Sequence, residues 1–297
     1  MWRGVFPAVT TKFTEDGALD RAEMERCFAL QFEAGVDGMI VCGSLGENMA
    51  LEPEEKLEVL SIARSVSGGK PVLMTVCESA TRRAGNAARA AAKAGADGLM
   101  ILPGVPYKSA PAETLGHIGA VAAAAGLPVM VYNNPIAYGV DVTLSMFDEL
   151  AKNDLVVAMK ESTDDIRRVT DVLTRFGARF DCFTGVDNLA LESLLMGAHG
   201  WVAGLVVAFP KETVAIWKLV QAGRLDEARA IYRWFRPLLD LDVSTNLVQN
   251  IKLAEVFAID SNDRVRAPRL ALSGAERARV AAIIEAALAQ RPELPVL

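Results

Sequence analysis

The chain has 297 residues, of which 52% are hydrophobic and 23% are charged, a composition typical of a soluble globular protein with a sizeable core. The net charge of −6 argues against nucleic acid and against an anionic membrane surface as partners. Apolar stretches such as 201–209 are too short to span a bilayer, and the N-terminal stretch lacks the apolar core of a signal peptide. The expected location is therefore the cytoplasm.

Eight apolar, strand-like runs alternate with eight helix-like segments along the first 222 residues. The strand-like runs read "GVFPAV", "GMIVCG", "PVLMTV", "GLMIL", "PVMVY", "LVVAM", "RFDCFTG" and "GWVAG". Helices are predicted at Arg21–Glu33, Glu54–Ser65, Arg82–Ala94, Ala112–Ala125, Leu144–Lys152, Asp165–Phe176, Leu189–Met196 and Pro210–Val220. Strict alternation predicts an α/β fold, the (β/α)8 TIM barrel, which commonly occupies ~250 residues. An open doubly wound sheet is the alternative, but no G-x-G-x-x-G loop follows the first strand.

The pattern changes after residue 222. The segments "RLDEARAIYRWFRPLLDLD", "VSTNLVQNIKLAEVFAI" and "SGAERARVAAIIEAALAQ" each have the apolar spacing of an amphipathic helix. No linker rich in Gly, Ser or Pro precedes them. The sequence therefore predicts a barrel over residues 1–222 and a C-terminal extension of three helices over residues 223–297, packed on the barrel.

The cysteines and histidines do not indicate a metal site. No cysteine lies at metal-ligand spacing from another cysteine or from a histidine, so a structural zinc site is not expected. Three of the cysteines lie in or beside apolar runs, which favours buried thiols over disulfides. The residues considered are Cys27, Cys42, Cys77, Cys182, His117 and His199.

Active-site residues of such barrels gather at the carboxyl ends of the strands. The ends of strands two, four, five, six and seven read "CGSLGEN", "LPGVPYK", "YNNP", "MKES" and "FTGVD". The small residues of "CGSLGEN" would let backbone amides approach an anion, although a tight turn without a ligand accounts for the same residues.

Lys160 is the candidate nucleophile, because it directly follows the apolar run 155–159. A lysine amine attacks a carbonyl only when neutral, and its ordinary pKa is ~10.4. Burial beside an apolar strand lowers that pKa. Taken alone, a lysine at a strand end is more often paired with an acid.

Tyr132 strengthens the interpretation of Lys160, because it ends the preceding strand. Neighbouring strands lie ~4.8 Å apart, so both side chains are expected in one pocket. A phenol suits proton transfer during the formation and breakdown of a carbinolamine. A buried tyrosine with a satisfied hydroxyl is the alternative. Tyr107 has a weaker claim, since it lies in a loop of uncertain course.

Five motifs in this order give the chain a resemblance to the dihydrodipicolinate synthase / N-acetylneuraminate lyase family. They are "GVFPAVTTKF", "GSLGEN", "YNNP", "MKES" and "GVDNL", and the resemblance covers nearly the whole chain. It implies a (β/α)8 barrel enzyme that forms a Schiff base between a lysine and pyruvate or another 2-keto acid. It also implies that no cofactor or metal is needed, and that the chain assembles as a homotetramer, a dimer of dimers.

The same resemblance implies roles for individual residues. Lys160 matches the Schiff-base lysine, Tyr132 the proton-shuttling tyrosine and Ser44 a hydroxyl of the proton relay. The amides of Ser44 and Leu45 match the carboxylate-binding loop. Tyr107 matches a relay tyrosine reached from a neighbouring subunit, although its loop is one residue longer. The matches in the pyruvate pocket are Gly185 and Val202.

Two departures from the family pattern, at Ala137 and Leu45, bear on the substrate. Ala137 stands where the synthases carry an arginine that holds the carboxylate of the aldehyde substrate. Leu45 replaces a hydroxyl residue, and Tyr138 offers only a neutral hydroxyl at the same end of the pocket. These departures argue against the lysine-biosynthetic synthase reaction.

The sequence therefore predicts a Schiff-base lyase or hydrolase that acts on a 2-keto acid or on its cyclic imine. "GSLGEN", "VPYKS" and "YNNPIAYG" most resemble the hydroxyproline-catabolic branch, which deaminates 1-pyrroline-4-hydroxy-2-carboxylate. The alternatives are an aldolase or dehydratase of 2-keto-3-deoxy sugar acids, and 4-hydroxy-tetrahydrodipicolinate synthase. A non-catalytic ligand-binding barrel would lack the lysine or the tyrosine, and both are present.

Overall fold

The structure is a computed structural model that describes residues 2–104 and 107–296. Eight parallel strands form one sheet in the order β1-β8-β7-β6-β5-β4-β3-β2. The strands are β1 Gly4–Pro7, β2 Met39–Val41, β3 Val72–Val76, β4 Gly98–Ile101, β5 Val129–Asn133, β6 Val156–Glu161, β7 Asp181–Thr184 and β8 Gly200–Ala203. Beyond β1, Ala8 pairs with Ile40 of β2, and the Val9 amide donates to the Ile40 carbonyl at 3.1 Å. The sheet is thus a nearly closed barrel, and the predicted fold class is confirmed.

Helices follow the strands around the outside. They are α1 Arg21–Glu33, α2 Pro53–Val66, α3 Thr81–Lys93, α4 Pro111–Ala125, α5 Pro135–Tyr138, α6 Leu144–Leu150, α7 Arg167–Phe176, α8 Ala190–Leu195, α9 Pro210–Gln221, α10 Leu225–Leu239, α11 Leu247–Ile259 and α12 Gly274–Ala289. The eight barrel helices predicted from the sequence are all found, with ends that differ by at most two residues. None of the helices in the described part of the chain is both long and apolar enough to cross a membrane.

The short helix α5 was not predicted, and it shapes one wall of the cavity described below. Pro135 occupies its first turn, where the missing N–H costs nothing. The Asn134 side chain accepts a hydrogen bond from the Ala137 amide at 2.9 Å and so caps the turn. Gly139 ends it with a positive φ of 73°. These residues turn the chain sharply after β5.

Apolar side chains cover both faces of the sheet. One cluster fills the barrel interior, where Phe6 and Phe183 meet edge to face at 5.3 Å between ring centroids. A larger cluster lies between the strands and the helices. Burial on both faces explains why the strands read as continuous apolar runs rather than alternating ones.

Helix α11 joins the barrel through two buried ion pairs. Lys252 Nζ lies 2.5 Å from Glu47 Oε1, and Lys12 Nζ lies 2.6 Å from Glu255 Oε2, with all four side chains at most 1% exposed. Removing one partner would leave an uncompensated buried charge, which typically costs about 3–5 kcal/mol. Glu47 follows the loop after β2, so α11 supports that loop directly. The division of the chain at residue 222 stays a prediction.

Candidate active site

A cavity of about 460 Å³ opens at the carboxyl ends of the strands. This is the end at which barrels of this class place their active sites. Of the nine site residues predicted from the sequence, eight line the cavity. They are Ser44, Leu45, Tyr132, Ala137, Tyr138, Lys160, Gly185 and Val202.

Lys160 and Tyr132 are direct partners across neighbouring strands. They lie opposite each other in the register of β5 and β6, and Lys160 Nζ lies 4.0 Å from the centroid of the Tyr132 ring. Both are buried, Lys160 with 7% and Tyr132 with 6% of its surface exposed. The Tyr132 hydroxyl accepts a hydrogen bond from Asn134 Nδ2 at 3.0 Å. The nucleophile and the proton carrier expected from the sequence thus share one wall of the cavity.

Burial lowers the pKa of Lys160 below that of a free lysine. Electrostatic interactions with Tyr138, Asp242 and Asp187 act in the opposite direction but do not cancel the effect of burial. Burial also raises the pKa of Tyr132, which keeps the phenol protonated. Burial therefore makes the neutral amine easier to reach than in a free lysine and keeps the neighbouring phenol neutral, which are the forms needed for attack on a carbonyl and for proton donation.

Gly185 provides the space that Lys160 occupies. A β-carbon placed at this position would lie 2.1 Å from Ser162 Oγ and 2.5 Å from Lys160 Cε. Real β-carbons essentially never come that close to other atoms, so any side chain at Gly185 would displace the lysine or the serine. This explains a glycine at the end of β7 without any need for an unusual backbone angle.

Ser44 contacts Tyr138 rather than Tyr107. Ser44 Oγ and Tyr138 Oη share a hydrogen bond, and the Tyr138 ring meets the Tyr132 ring edge to face at 5.6 Å. A continuous series of hydroxyl-bearing side chains thus runs from Ser44 in the loop after β2, through Tyr138 on α5, to Tyr132 on β5. Tyr138 was expected from the sequence only as a substrate-binding residue.

The loop that carries Ser44 and Leu45 is held from several sides. The Gly46 carbonyl accepts a hydrogen bond from Thr11 Oγ1 at 2.7 Å, and Asn48 Nδ2 donates to the Cys42 carbonyl at 2.6 Å. A β-carbon at Gly46 would lie 3.1 Å from the backbone of Cys42. The loop is therefore compact and fixed in place before any substrate binds, as anion binding by backbone amides requires.

Tyr107 lies apart from this cavity in the single chain. It is 57% exposed and is not among the residues that line the cavity. Its expected role depends on a neighbouring subunit, so that role stays a prediction. Part of its loop, residues 105 and 106, lies outside the described residues.

The sequence reading missed two carboxyl groups. Asp187 is fully buried and accepts hydrogen bonds from Trp201 Nε1 at 2.9 Å and from the Leu205 amide at 2.7 Å. Its motif, "GVDNL", was recognised, but no role was assigned to the aspartate. Asp242 lies between α10 and α11 and lines the cavity. Nothing in its local sequence signals this, because it lies in the extension expected only to pack on the barrel.

Carboxyl groups outnumber cations among the described residues that line the cavity. Among the described residues that line it, Lys160 is the only cation, whereas Asp164 and Asp242 contribute two carboxyl groups. Besides Lys160, which is the proposed imine-forming residue, the described lining residues offer no positive charge to a second substrate carboxylate.

Comparisons with known proteins agree with this geometry. Residues 1–287 match the model of the "Dihydrodipicolinate synthetase family". A 4-hydroxy-tetrahydrodipicolinate synthase from Methanosarcina barkeri is 32% identical over 283 residues, which cover 95% of this chain and 97% of that protein. The corresponding synthase from Methanosarcina mazei is 30% identical over 283 residues, with the same coverage of both chains.

Solved structures show the same likeness. The dihydrodipicolinate synthase from Aquifex aeolicus superposes with a TM-score of 0.90 at 25% identity and covers 96% of this chain and 98% of its own. YagE, a prophage protein of the dihydrodipicolinic acid synthase family from E. coli K12 solved in complex with pyruvate, has a TM-score of 0.91 at 26% identity, covering 97% of this chain and 99% of its own. With its barrel, its strand-end lysine and tyrosine and a family match over residues 1–287, the chain belongs to the dihydrodipicolinate synthetase family of lysine Schiff-base lyases.

Proposed function

We propose that this enzyme forms an imine between Lys160 and a 2-keto acid that carries one carboxylate, or the cyclic imine of such an acid. The physiological reaction of this proposal is the deamination of 1-pyrroline-4-hydroxy-2-carboxylate or of a close analogue. The observation that carries it is the charge of the cavity, in which Lys160 is the only cation among the described lining residues. One carboxylate fits the backbone amides of Ser44 and Leu45, and a second would find no partner.

The chemistry begins with attack by the neutral Lys160 amine on the C2 carbon of the substrate. With a keto acid, the carbinolamine loses water; with a cyclic imine, the ring nitrogen leaves instead and becomes a free amine. Either step needs a proton delivered to the leaving group, and Tyr132, whose ring lies against Lys160 Nζ, carries a buried hydroxyl suited to that role. The Ser44–Tyr138 hydrogen bond offers a route for proton exchange with solvent, because Ser44 is exposed.

For the pyrroline, the overall reaction consumes one water and releases ammonia and 2-ketoglutarate semialdehyde. The ring-opened imine loses the 4-hydroxyl as water, with the Lys160 imine as the electron acceptor, and proton shifts move the unsaturation to C5. Water then adds to the C5 imine and releases ammonia, and a second water hydrolyses the Lys160 imine, which releases the product and restores the amine. Beyond these waters, the steps need only proton transfers. The described residues therefore supply the groups required.

The relatives named 4-hydroxy-tetrahydrodipicolinate synthase make that reaction the second candidate. Its product is a dicarboxylate, and the aldehyde substrate brings its own carboxylate to the cavity. Ala137 is an exposed residue on the cavity wall and supplies neither charge nor donor. The aldol cleavage of 2-keto-3-deoxy sugar acids, which carry one carboxylate, fits the cavity better than the synthase reaction.

The proposal includes a homotetrameric assembly in the cytoplasm, with neither nucleic acid nor membrane as partner. Support comes from exposed apolar side chains on segments that follow strand ends, namely Met49, Tyr107 and Ile136. A second subunit would cover these side chains and bring its tyrosine near the cavity. Sedimentation that shows a fully active monomer at assay concentrations would contradict this part of the proposal.

Trapping of the imine tests the proposed chemistry. Incubation with pyruvate and borohydride should add a reduced pyruvyl mass to the peptide that holds Lys160, and Lys160→Ala should abolish both labelling and turnover. Lys152→Ala is the matched control, because Lys152 is exposed and paired only with Glu149. Labelling confined to other lysines would contradict the proposal. A panel of hydroxylated pyrroline carboxylates and 2-keto-3-deoxy acids then identifies the substrate.

A further inference from the structure

Asp242 brings a carboxyl group from the C-terminal helices into the cavity. It lies between α10 and α11, and its side chain rests on Gly204, just beyond the end of β8. A β-carbon at Gly204 would lie 2.5 Å from Asp242 Oδ1 and 3.1 Å from Oδ2. The carboxyl group thus occupies space that only a glycine leaves open, on a cavity wall that also includes Val202.

The carboxyl of Asp242 has no hydrogen-bond partner among the described residues. Within residues 2–104 and 107–296, neither Asp242 oxygen has a hydrogen-bond or salt-bridge partner, although the group is half-buried. Ser162, which is 3% exposed, also lines this cavity. A carboxyl group that is partly removed from water normally has hydrogen-bond partners. The carboxyl of Asp242 is therefore available to a ligand in the cavity.

Asp187 differs from Asp242 in that hydrogen bonds from the protein occupy its carboxyl oxygens. Asp187 Oδ1 accepts from Trp201 Nε1 at 2.9 Å and from the Gly204 amide at 3.1 Å, and Oδ2 accepts from the Leu205 amide at 2.7 Å. Asp187 therefore holds the turn after β8 in place and has no capacity left for a ligand. Asp242 lies against the same glycine and lines the cavity, and its carboxyl oxygens have no hydrogen-bond partner among the described residues.

From this geometry we infer that Asp242 is a specificity-determining residue that hydrogen-bonds a hydroxyl group on the part of the substrate beyond the imine carbon. The inference rests on the proposed imine chemistry at Lys160. Both the hydroxylated pyrroline carboxylate and the 2-keto-3-deoxy sugar acids carry a hydroxyl at C4, two carbons from the carbon that Lys160 attacks. A hydroxyl is the ligand that a carboxyl group binds in either protonation state, as acceptor when ionised and as donor when protonated.

Other ligand groups fit less well. A substrate carboxylate would face Asp242 without a cation to separate the two, since the cavity offers only Lys160. An apolar group would leave the carboxyl unsatisfied, which is costly for a buried polar atom. Burial, reinforced by the nearby Asp187, raises the pKa of Asp242 well above its ordinary value, and Lys160 acts against that rise. Neither protonation state removes its ability to bond a hydroxyl.

The test compares 4-hydroxy-2-ketopentanoate with 2-ketopentanoate, two keto acids that differ only in the hydroxyl. Each is titrated against the enzyme with borohydride, and all reduced adducts on the Lys160 peptide are summed. The wild type should reach half-maximal labelling at a concentration about 10-fold or more lower for the hydroxylated acid. Asp242→Ala should remove most of that preference, and Asp242→Asn should retain part of it, since an amide also bonds a hydroxyl. Asp240→Asn, on the exposed side of the same turn, should change nothing.

The outcomes separate the two proposals. Absence of any Lys160 adduct in the wild type with both acids would overturn the proposed function. Adducts formed equally well from both acids, or a preference that survives in Asp242→Ala, would overturn the role of Asp242 alone. If Asp242→Ala fails to fold, Gly204→Ala provides the same readout, because its methyl group would push the carboxyl out of position.

Discussion

Lys160 Nζ lies 4.0 Å from the centroid of the Tyr132 ring, and the two residues are register partners on β5 and β6. The amine therefore rests on the face of the phenol ring, while the Tyr132 hydroxyl points on toward Asn134 Nδ2 at 3.0 Å. Strand pairing, rather than a loop, thus sets the distance between the proposed nucleophile and the proposed proton carrier. It also ties the activity of each residue to the position of the other.

Replacing Tyr132 by Phe should leave the fold intact and lower kcat by about 10²–10⁴-fold, the range for a group that transfers protons in the transition state. The ring that supports Lys160 remains, so imine formation slows while its equilibrium changes little. Steady-state kinetics and a melting curve check both parts. An unchanged kcat together with an unshifted melting curve would exclude the role.

The rate of imine formation should rise with pH and reach half its maximum below the ordinary lysine pKa of ~10.4. The ammonium form cannot attack, and burial lowers the pKa of Lys160, so the neutral amine is populated at lower pH than in an exposed lysine. Trapping with pyruvate and cyanoborohydride across the neutral and alkaline range measures this. Labelling of the exposed Lys152 supplies the comparison. A midpoint at or above that of Lys152 would contradict the expectation.

Ser44→Ala and Tyr138→Phe should each slow proton transfer, and their effects should not add. The two hydroxyls share one hydrogen bond, so removal of either one breaks the same connection to solvent. The double variant is expected to resemble the more impaired single variant in kcat. Fully additive losses in a double-mutant cycle would show that the hydroxyls act separately.

Gly185→Ala should reduce imine formation by roughly a hundredfold, because small displacements of a reacting group carry costs of that size. The added methyl group would come within 2.5 Å of Lys160 Cε. Gly119→Ala in α4 is the control, since a β-carbon there meets nothing within 4 Å and should stabilise the helix by about 0.5–1 kcal/mol. Wild-type labelling of Gly185→Ala would mean that the lysine has space to move aside.

Aspartate semialdehyde and pyruvate should be poor substrates for condensation, with kcat/KM well below roughly 10⁴ M⁻¹s⁻¹. Loss of a charged contact of the kind an arginine makes costs about 2–5 kcal/mol, and Ala137 supplies no replacement. Ala137→Arg should raise this activity, whereas Ile136→Arg, on the exposed neighbouring position, should raise it less. A coupled assay of synthase activity measures kcat/KM for the wild type and for both variants. Efficient wild-type synthesis would show that another group holds the aldehyde.

Much of the fold could be predicted from the order of apolar runs and helix signals. The strands are short and buried on both faces, so each is a distinct apolar run, and helix ends carry local signals such as Pro53 at the start of α2. The positions of Lys160 and Tyr132 were also predictable, because each lies at the carboxyl end of a strand and these ends converge in a barrel. The turn α5 was not, since its capping by Asn134 depends on the geometry of the preceding strand.

The barrel, and the meeting of Lys160 with Tyr132, could be inferred from the amino-acid sequence, because both depend on local periodicity and on the regular pairing of strands. Only the tertiary structure decided which hydroxyl meets Ser44 and which carboxyl groups approach Lys160. Tyr138 reaches Ser44 from a turn, and Asp242 reaches the cavity from a loop between helices that follow the barrel. Contacts between residues so far apart in the chain depend on how the helices pack, and no local pattern records that packing.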